Sequence, residues 1–383
     1  MKRRILVDLS HIRDSFYVGI ASAAIEIVKG LVEYSHYDLI LLTWEDQKDQ
    51  VDELIGMKLE KILLPVEQKR KLDRKFVIKF CPSFLKRDLK RHHIDIVFTT
   101  CYTERSYVFP KKYNQLGIVY DMQAFKLWKM QHDWIRTIYW FCMPVIYYRL
   151  IPYITTISKF TAKDVWKYSR RKATPIYLSV KNVNKDITKE EVIPELEGSK
   201  YILDINSFQY YKNAERLIDA YAGICDSIPH LLYLKGYGVG IDKEKRFKEL
   251  TDYVRKKGLS DRIILDISYR TNEELSYLFN HTDLFVSPSL MEGFGFTPIE
   301  ASIHKKPVAV SNIETLVEVT DGLVETFDPY SVESIANKIL KLLNNPPSEE
   351  SLESIAEHYK KKYALKPQID AYVKMIDGIL DKR

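Results

Sequence analysis

Short apolar runs alternate with longer helix-like segments twice along this chain, and no other feature constrains its fold as much. In the first half, residues 5–7, 38–43, 94–99, 116–120 and 153–157 read as strands, each too short for a buried helix. Residues 19–34 read as a helix that opens on small side chains. Residues 181–199 are polar and charged and read as a linker. The alternation then restarts: strand 201–205, helix 214–227, strand 231–234, helix 242–257, strand 262–265, a helix from Thr271 and strand 284–287. Repeated βα units predict parallel sheets with helices on both faces. A chain of 383 residues is long for one average domain and suits two. The expectation is an α/β protein with doubly wound domains over residues 1–180 and 200–360. A last helical segment lies at 361–383.

The four cysteines, Cys81, Cys101, Cys142 and Cys225, are scattered, with no C-x-x-C pair. That fits reduced thiols in a cytoplasmic protein and argues against a disulfide framework or a zinc site. The start is basic, but its apolar run ends after three residues, so it reads as a first strand rather than a signal peptide. The net charge of +6 hides an asymmetry, with residues 1–180 strongly basic and the remainder acidic. A basic half suits an anionic membrane surface, a phosphorylated acceptor or nucleic acid. No base-reading motif accompanies it, so nucleic acid is not an expected partner.

Two segments bear on membranes. Residues 69–93 interleave lysines and arginines with Phe76, Phe80, Phe84 and Leu85, as an interfacial basic-aromatic helix does. The plainer reading is a solvated helix with one core face. Residues 134–154 are strongly apolar, but Arg136 and Arg149 bracket only twelve uncharged residues. At about 1.5 Å per residue that is far short of a ~30 Å hydrocarbon core. The segment reads as a core helix.

The chemistry concentrates in Ser287-Pro-Ser-Leu-Met-Glu-Gly-Phe-Gly-Phe-Thr-Pro-Ile-Glu-Ala301. It follows an apolar strand and leads into a helix whose first turn suits Pro298. The N–H groups of Phe294, Gly295, Phe296 and Thr297 would point at whatever sits above the turn, and the helix dipole favours an anion there. Gly293 and Gly295 let the backbone come close to that anion. Glu300, placed in the first helical turn, suits two neighbouring hydroxyls such as those of a ribose. Glu292 and Glu300 thus flank one glycine-bearing turn.

This stretch resembles the E-x7-E motif of retaining GT-B glycosyltransferases, in the large family numbered four. Its Pro-Ser, Glu-Gly-Phe-Gly, Pro and Glu-Ala all sit at the family's spacing. The resemblance implies two Rossmann-like domains facing each other across a cleft, and the last helix often crosses back to the first domain. It implies that Glu300 holds the donor ribose, that Glu292 lies near the donor sugar, and that the amides between them hold the diphosphate. Lys212 and Asn213 match the family's donor-diphosphate segment, but Tyr211 stands where the family has arginine and Asn206 where it has glycine. Lys212 remains as the phosphate clamp. Gly19 resembles the glycine turn near the donor phosphate. Tyr269 and Arg270 fall on the turn whose backbone reads the nucleobase, and Gly236-Tyr-Gly238 resembles a further glycine turn.

Asp121 ends a strand where the family commonly has His-Asp, with Tyr120 in place of the histidine. It is a candidate to orient or deprotonate an acceptor hydroxyl, or else a simple turn cap. Residues 157–164 resemble the family's Ser-x-Phe-Ser/Thr element, which is an N-cap and packing signal. There is no Asp-x-Asp, and His92, His93 and Asp95 read as a solvated helix end before a metal site. No metal or other cofactor is expected.

The resemblance therefore implies transfer of a sugar from a UDP- or GDP-sugar to a hydroxyl of a glycan or polyprenyl-linked glycan, with retention. Localisation would be cytoplasmic, peripheral at the inner face of the membrane. The alternative, motivated by Tyr211 and Tyr120, is a degenerate GT-B protein that binds glycan or nucleotide without turnover.

Overall fold

The computed structural model describes residues 2–12, 19–72, 78–103, 106–122, 146–180, 189–236 and 243–382. Gly238 and most of the apolar run 134–154 lie outside them. The chain divides into two units, Met1–Ser179 with Leu365–Arg383, and Val180–Ala364.

The first unit carries β1 (Arg4–Asp8), α1 (Gly19–Tyr34), β2 (Asp38–Trp44), α2 (Lys48–Ile55), β3 (Glu60–Leu64), α3 (Glu67–Leu72), α4 (Ser83–Arg91), β4 (Ile96–Thr99), β5 (Gln115–Val119), β6 (Tyr153–Thr156), α5 (Lys159–Ser169) and β7 (Thr174–Pro175). Its strands form one parallel sheet in the order β3-β2-β1-β4-β5-β6-β7. The second unit carries β8 (Tyr201–Asn206), α6 (Ala214–Ala222), β9 (Leu231–Gly236), α7 (Lys243–Lys256), β10 (Ile263–Asp266), α8 (Asn272–His281), β11 (Leu284–Ser287), α9 (Phe296–Ile303), β12 (Val308–Ser311), α10 (Glu314–Val319), β13 (Glu325–Phe327), α11 (Val332–Asn344) and α12 (Glu349–Lys362). Its parallel sheet runs β10-β9-β8-β11-β12-β13. The final helix, α13 (Leu365–Leu380), belongs to the first unit.

Both sheets are doubly wound, as the alternation predicts. Central strands such as β8 are buried along their whole length, which parallel sheets covered on both faces require. In the first unit α13 packs against α1, where Gly30 has no room for a side chain: a Cβ there would lie 2.4 Å from Ile369 Cγ1. Phe98 of β4 meets Tyr372 of α13, ring centroids 5.0 Å apart. In the second unit α6 and α11 cover the sheet through Leu217, Tyr221, Ile335 and Ile339. Local signals set the helix ends. Thr271 caps α8 in a reciprocal pair with Glu274, and Ser158 caps α5 through Thr161 N–H at 3.0 Å.

Two expectations change. Residues 214–227 are not one helix: α6 ends at Ala222, before Gly223, and Cys225–Ser227 form a separate 3-10 turn. The described part of the 181–199 stretch is not a loose linker. Ile193 and Leu196 are buried, Glu190 reaches His281 at 2.9 Å, and Glu195 pairs with Arg270 at 2.6 Å.

Candidate active site

In an open α/β sheet the strand order reverses at one point, and a crevice opens there beyond the strands' carboxyl ends. In the second unit that point lies between β8 and β11. The loops leaving these two strands carry Lys212 and Glu292.

The β8 loop is held from within. Asn206 accepts the Phe208 N–H at 2.6 Å and donates to Asp204 at 2.5 Å. This fixes Phe208 in the left-handed region, at φ +55°. A 3-10 turn, Tyr210–Lys212, leads to Asn213, also left-handed at φ +63°. The Asn213 amide donates to the carbonyls of Pro288 and Pro329, at 3.0 and 2.9 Å, and its oxygen accepts from Arg216 at 2.6 Å. Asn213 is thus a strut joining three loops, and its side chain is already engaged. Its side-chain bonds hold the loop that carries Lys212.

The β11 loop is tied to the first by Leu290 N–H to Tyr211 carbonyl, 2.7 Å. Thr315 Oγ1 donates to the Glu292 carbonyl at 3.1 Å. Across this seam the Lys212 ammonium meets Glu292 Oε1 at 2.6 Å, with the side chains only 14% and 13% exposed. Burial works to strip the lysine of its proton, but the adjacent Glu292 carboxylate outweighs it, with Tyr211 and Asp204 adding, so the Lys212 pKa lies above its ordinary value. Behind the pair, Asp204 is fully buried. Burial pushes its carboxyl up to about 8, opposed by Lys212 and the Asn206 hydrogen bond and reinforced by Glu292. Asp204 escapes a sequence reading, and Asn206 shows there only as a departure from a glycine. Beyond that, the only signal is two polar residues inside an otherwise apolar strand.

Past Glu292 the chain reaches Gly295, at φ +101°, where a Cβ would lie 2.5 Å from Leu316 Cδ2. Glycine is required there twice over. Helix α9 starts at the next residue with no side-chain cap, so its first N–H groups lack the helical carbonyl partners of later turns. Pro298, third in the helix, has no N–H to leave unpaired. Phe294 is buried against Phe296 and Tyr363, so only its backbone can serve a ligand. Glu300 is corrected by a turn: it is the fifth residue of α9, half-buried, and the first turn carries no acid.

The turn after β10 carries Tyr269 and Arg270. Tyr269 is 81% exposed. The Arg270 guanidinium is taken up by Asp266, Glu274 and Glu195, at 2.8, 2.8 and 2.6 Å. Its side chain is a clasp for the turn, and only the backbone beside it is left to read a ligand. Buried Lys235 adds a second clasp, donating to the Ser268 carbonyl at 2.7 Å. Asp266 is held down to about 2, because hydrogen bonds from Ser268, Tyr233 and Arg270 outweigh a burial that acts the other way.

Gly19 and Asp121 belong to the first unit. Gly19 opens α1 with open space where a Cβ would stand. Asp121 lies just beyond β5 and is half-buried. Tyr120 before it is buried, with no hydrogen-bond partner for its hydroxyl among the described residues. Burial, with Cys101 and Tyr372 nearby, drives that hydroxyl's pKa well up. His92 and Asp95 are engaged elsewhere, with Glu60 at 2.8 Å and the Arg4 N–H at 2.9 Å.

Two doubly wound parallel units, with a lysine–glutamate pair and a glycine-bearing helix start at one switch point, define a protein of the GT-B glycosyltransferase class. Solved structures of that architecture agree across the chain. A glycosyltransferase from Rickettsia africae ESF-5 superposes with TM-score 0.72 at 15% identity, covering 100% of both chains. Anabaena Alr3699/HepE, solved in complex with UDP and glucose, gives TM-score 0.69 at 14% identity over 98% of this chain and 100% of that one. The family described as "Glycosyl transferases group 1" matches residues 186–381, just over half of the chain, and this chain belongs to it. Similar relatives include the alpha-1,3/1,6-mannosyltransferase ALG2 of Dictyostelium discoideum, 27% identical over 48% of this chain and 47% of that protein. Another is the serotype-specific mannosyltransferase WbdA of Escherichia coli, 30% identical over 43% of this chain and 20% of that protein. The chain spans about half the length of the first of these relatives and less of the second.

Proposed function

We propose that this chain moves a hexosyl group from a nucleotide-sugar to a hydroxyl of a glycan or polyprenyl-linked glycan, with retention of configuration and without a metal ion. The observation that carries the reading is the Lys212–Glu292 pair at the switch point of the second unit. Mannosyltransferases among the relatives make a mannosyl donor the first to test, and the UDP complex among the structural neighbours keeps UDP-sugars beside GDP-sugars.

In this reading the bond between the anomeric carbon and the diphosphate oxygen breaks, and its electron pair leaves with the nucleoside diphosphate. The acceptor oxygen bonds to the same carbon on the same face. Lys212 and the backbone amides of Gly293, Phe294, Gly295, Phe296 and Thr297, in the turn before α9 and at its start, offset the charge that grows on the departing diphosphate. Glu300 accepts from the donor ribose. Glu292 holds Lys212 in place before the donor arrives and lies beside the donor sugar afterwards. Asp121 orients the acceptor hydroxyl and takes its proton.

A thermal-shift screen of nucleoside diphosphates and their sugars tests this, followed by proton NMR of the product formed on a polyprenyl-linked acceptor. Selective stabilisation by one nucleotide, and a product with the donor's anomeric configuration, are expected. An inverted product removes retention. Nucleotide binding with neither donor hydrolysis nor transfer favours the binding-only reading that Tyr211 motivates. No response to any nucleotide overturns both.

A further inference from the structure

Asp204 touches no reacting group in the proposed transfer, yet it lies behind Lys212 and Glu292, the pair that carries it. Side chains alternate along a strand, so Asp204 shares its face of β8 with Ile202, which clusters with α6, α7 and α11 through Leu217, Leu250 and Ile335. Its partner in register on β9 is Leu234. The carboxyl is 1% exposed in this apolar setting. Among the described residues no cation comes within ion-pair distance of it, and Lys212 instead meets Glu292 at 2.6 Å. A carboxyl buried without a paired cation keeps its proton rather than its charge. Burial accordingly pushes it up to about 8.

Two consequences reach the site. The first is geometric. Asp204 Oδ2 accepts from Asn206 Nδ2 at 2.5 Å, which fixes the way the Asn206 amide points. The Asn206 oxygen is then turned to the Phe208 N–H, at 2.6 Å. Reversed, the amide would set its NH2 against that N–H, donor against donor, and the turn would open. From left-handed Phe208 the chain runs into the 3-10 turn that ends at Lys212. Two hydrogen bonds thus connect a buried acid to the loop of the site's cation. The second consequence is electrostatic. Lys212 and Glu292 cancel, so the three groups carry no net charge while Asp204 holds its proton. Its ionisation would add a negative charge beside the place proposed for a diphosphate.

We propose that Asp204 is a positioning residue for the donor: its uncharged carboxyl sets the Asn206 amide, and through it the loop of Lys212, and its ionisation weakens the hold on a nucleoside diphosphate. The inference rests on the donor site proposed above and adds a control within it. The titratable groups around Asp204 are Lys212 and Tyr211 on the 3-10 turn and Glu292 on the β11 loop. On the covering helices, Arg216 is engaged by Asn213, Arg246 by Glu215, Glu249 and the Phe208 carbonyl, and Lys338 by Glu325, while Glu333 is exposed. Lys212 keeps its proton as Asp204 titrates, since its own pKa lies above the ordinary value.

The test is calorimetric titration of UDP and of GDP into the full chain, wild type and variants, from about pH 7 to about pH 9. The nucleotide that binds wild type should lose affinity by about tenfold across this window, as the proton leaves Asp204. Asp204→Asn stays uncharged and can still accept from Asn206. It should match wild type at the acid end and hold that affinity to the alkaline end. Asp204→Leu removes the acceptor and should bind about tenfold more weakly throughout. Circular dichroism checks that each variant is folded, and if Asp204→Leu is not, the Asp204→Asn profile decides alone. Parallel profiles in wild type and Asp204→Asn overturn the proposal, as does wild-type affinity in a folded Asp204→Leu. Either result leaves the donor site standing. A wild type that binds neither nucleotide removes the donor site and this inference with it.

Discussion

The ammonium of Lys212 sits where burial alone would cost it its proton, and Glu292 at 2.6 Å keeps it charged. A cation so held is pre-oriented for charge that appears only as a bond breaks, and such groups act mainly on turnover. Lys212→Ala is therefore expected to lower kcat by about a hundredfold or more, while nucleoside-diphosphate affinity falls by less. Steady-state kinetics beside calorimetry reads both, and an equal loss in the two contradicts the assignment. Lys212→Arg should restore only part, because the Tyr211 ring centroid lies 5.3 Å from the ammonium and crowds a guanidinium. How much of the site the sequence revealed follows from residue spacing. Glu292 and Glu300 share one local turn, so their pattern is visible in a single stretch. Asp204 acquires meaning only when the next loop brings Lys212, and a loop 80 residues beyond Lys212 brings Glu292. Glu300 falls one turn further in because the helix starts at Phe296, directly after left-handed Gly295 and two residues ahead of Pro298.

Elements here are set by close approach as much as by propensity. Gly30 sits inside α1 at a cost of about 1 kcal/mol relative to alanine, and Ile369 of α13 explains it. Gly30→Ala is expected to destabilise by about 1–3 kcal/mol through overpacking. Ile369→Ala in the same chain should make the pair less costly than the sum of the single changes. Urea unfolding of the four-member cycle checks this, and strict additivity would mean the helices do not meet there. Strong strands and long helices were legible because parallel sheets bury both faces of a strand, leaving continuous apolar runs such as Tyr201–Asn206 with only two polar interruptions. The two edge strands of the first sheet were not. Thr174–Pro175 is too short to carry a pattern. Glu60–Leu64 opens on a glutamate and a lysine because it pairs on one side only. The short helix break at Gly223 was hidden inside a run of apolar residues that continues to Cys225.

At the scale of the whole molecule the buried acid behind the site leaves a mark on stability. Asp204 has a folded-state pKa near 8 against an ordinary 3.8, so the folded protein holds a proton that the unfolded chain releases. The stability this contributes is full below the ordinary value and is lost as pH rises through about 8. One such proton gives a slope of about 1.4 kcal/mol per pH unit. His304 works the other way, since burial pulls it down to about 4 and its stabilising effect fades as pH falls. The difference between wild type and Asp204→Asn isolates the acid. The variant should lose less stability than wild type between pH 4 and pH 8. Parallel profiles across that window would mean Asp204 is ionised in the folded state.

All of this converges on the turn between β11 and α9, where the account places a nucleoside diphosphate with its ribose against Glu300. Calorimetric titration of UDP and GDP into wild type and Glu300→Gln is the most direct measurement. One nucleotide should bind wild type and bind the variant about 1.5–3 kcal/mol more weakly, through loss of a charge-assisted hydrogen bond. Unchanged affinity in Glu300→Gln, or no binding of either nucleotide to wild type, would contradict the account.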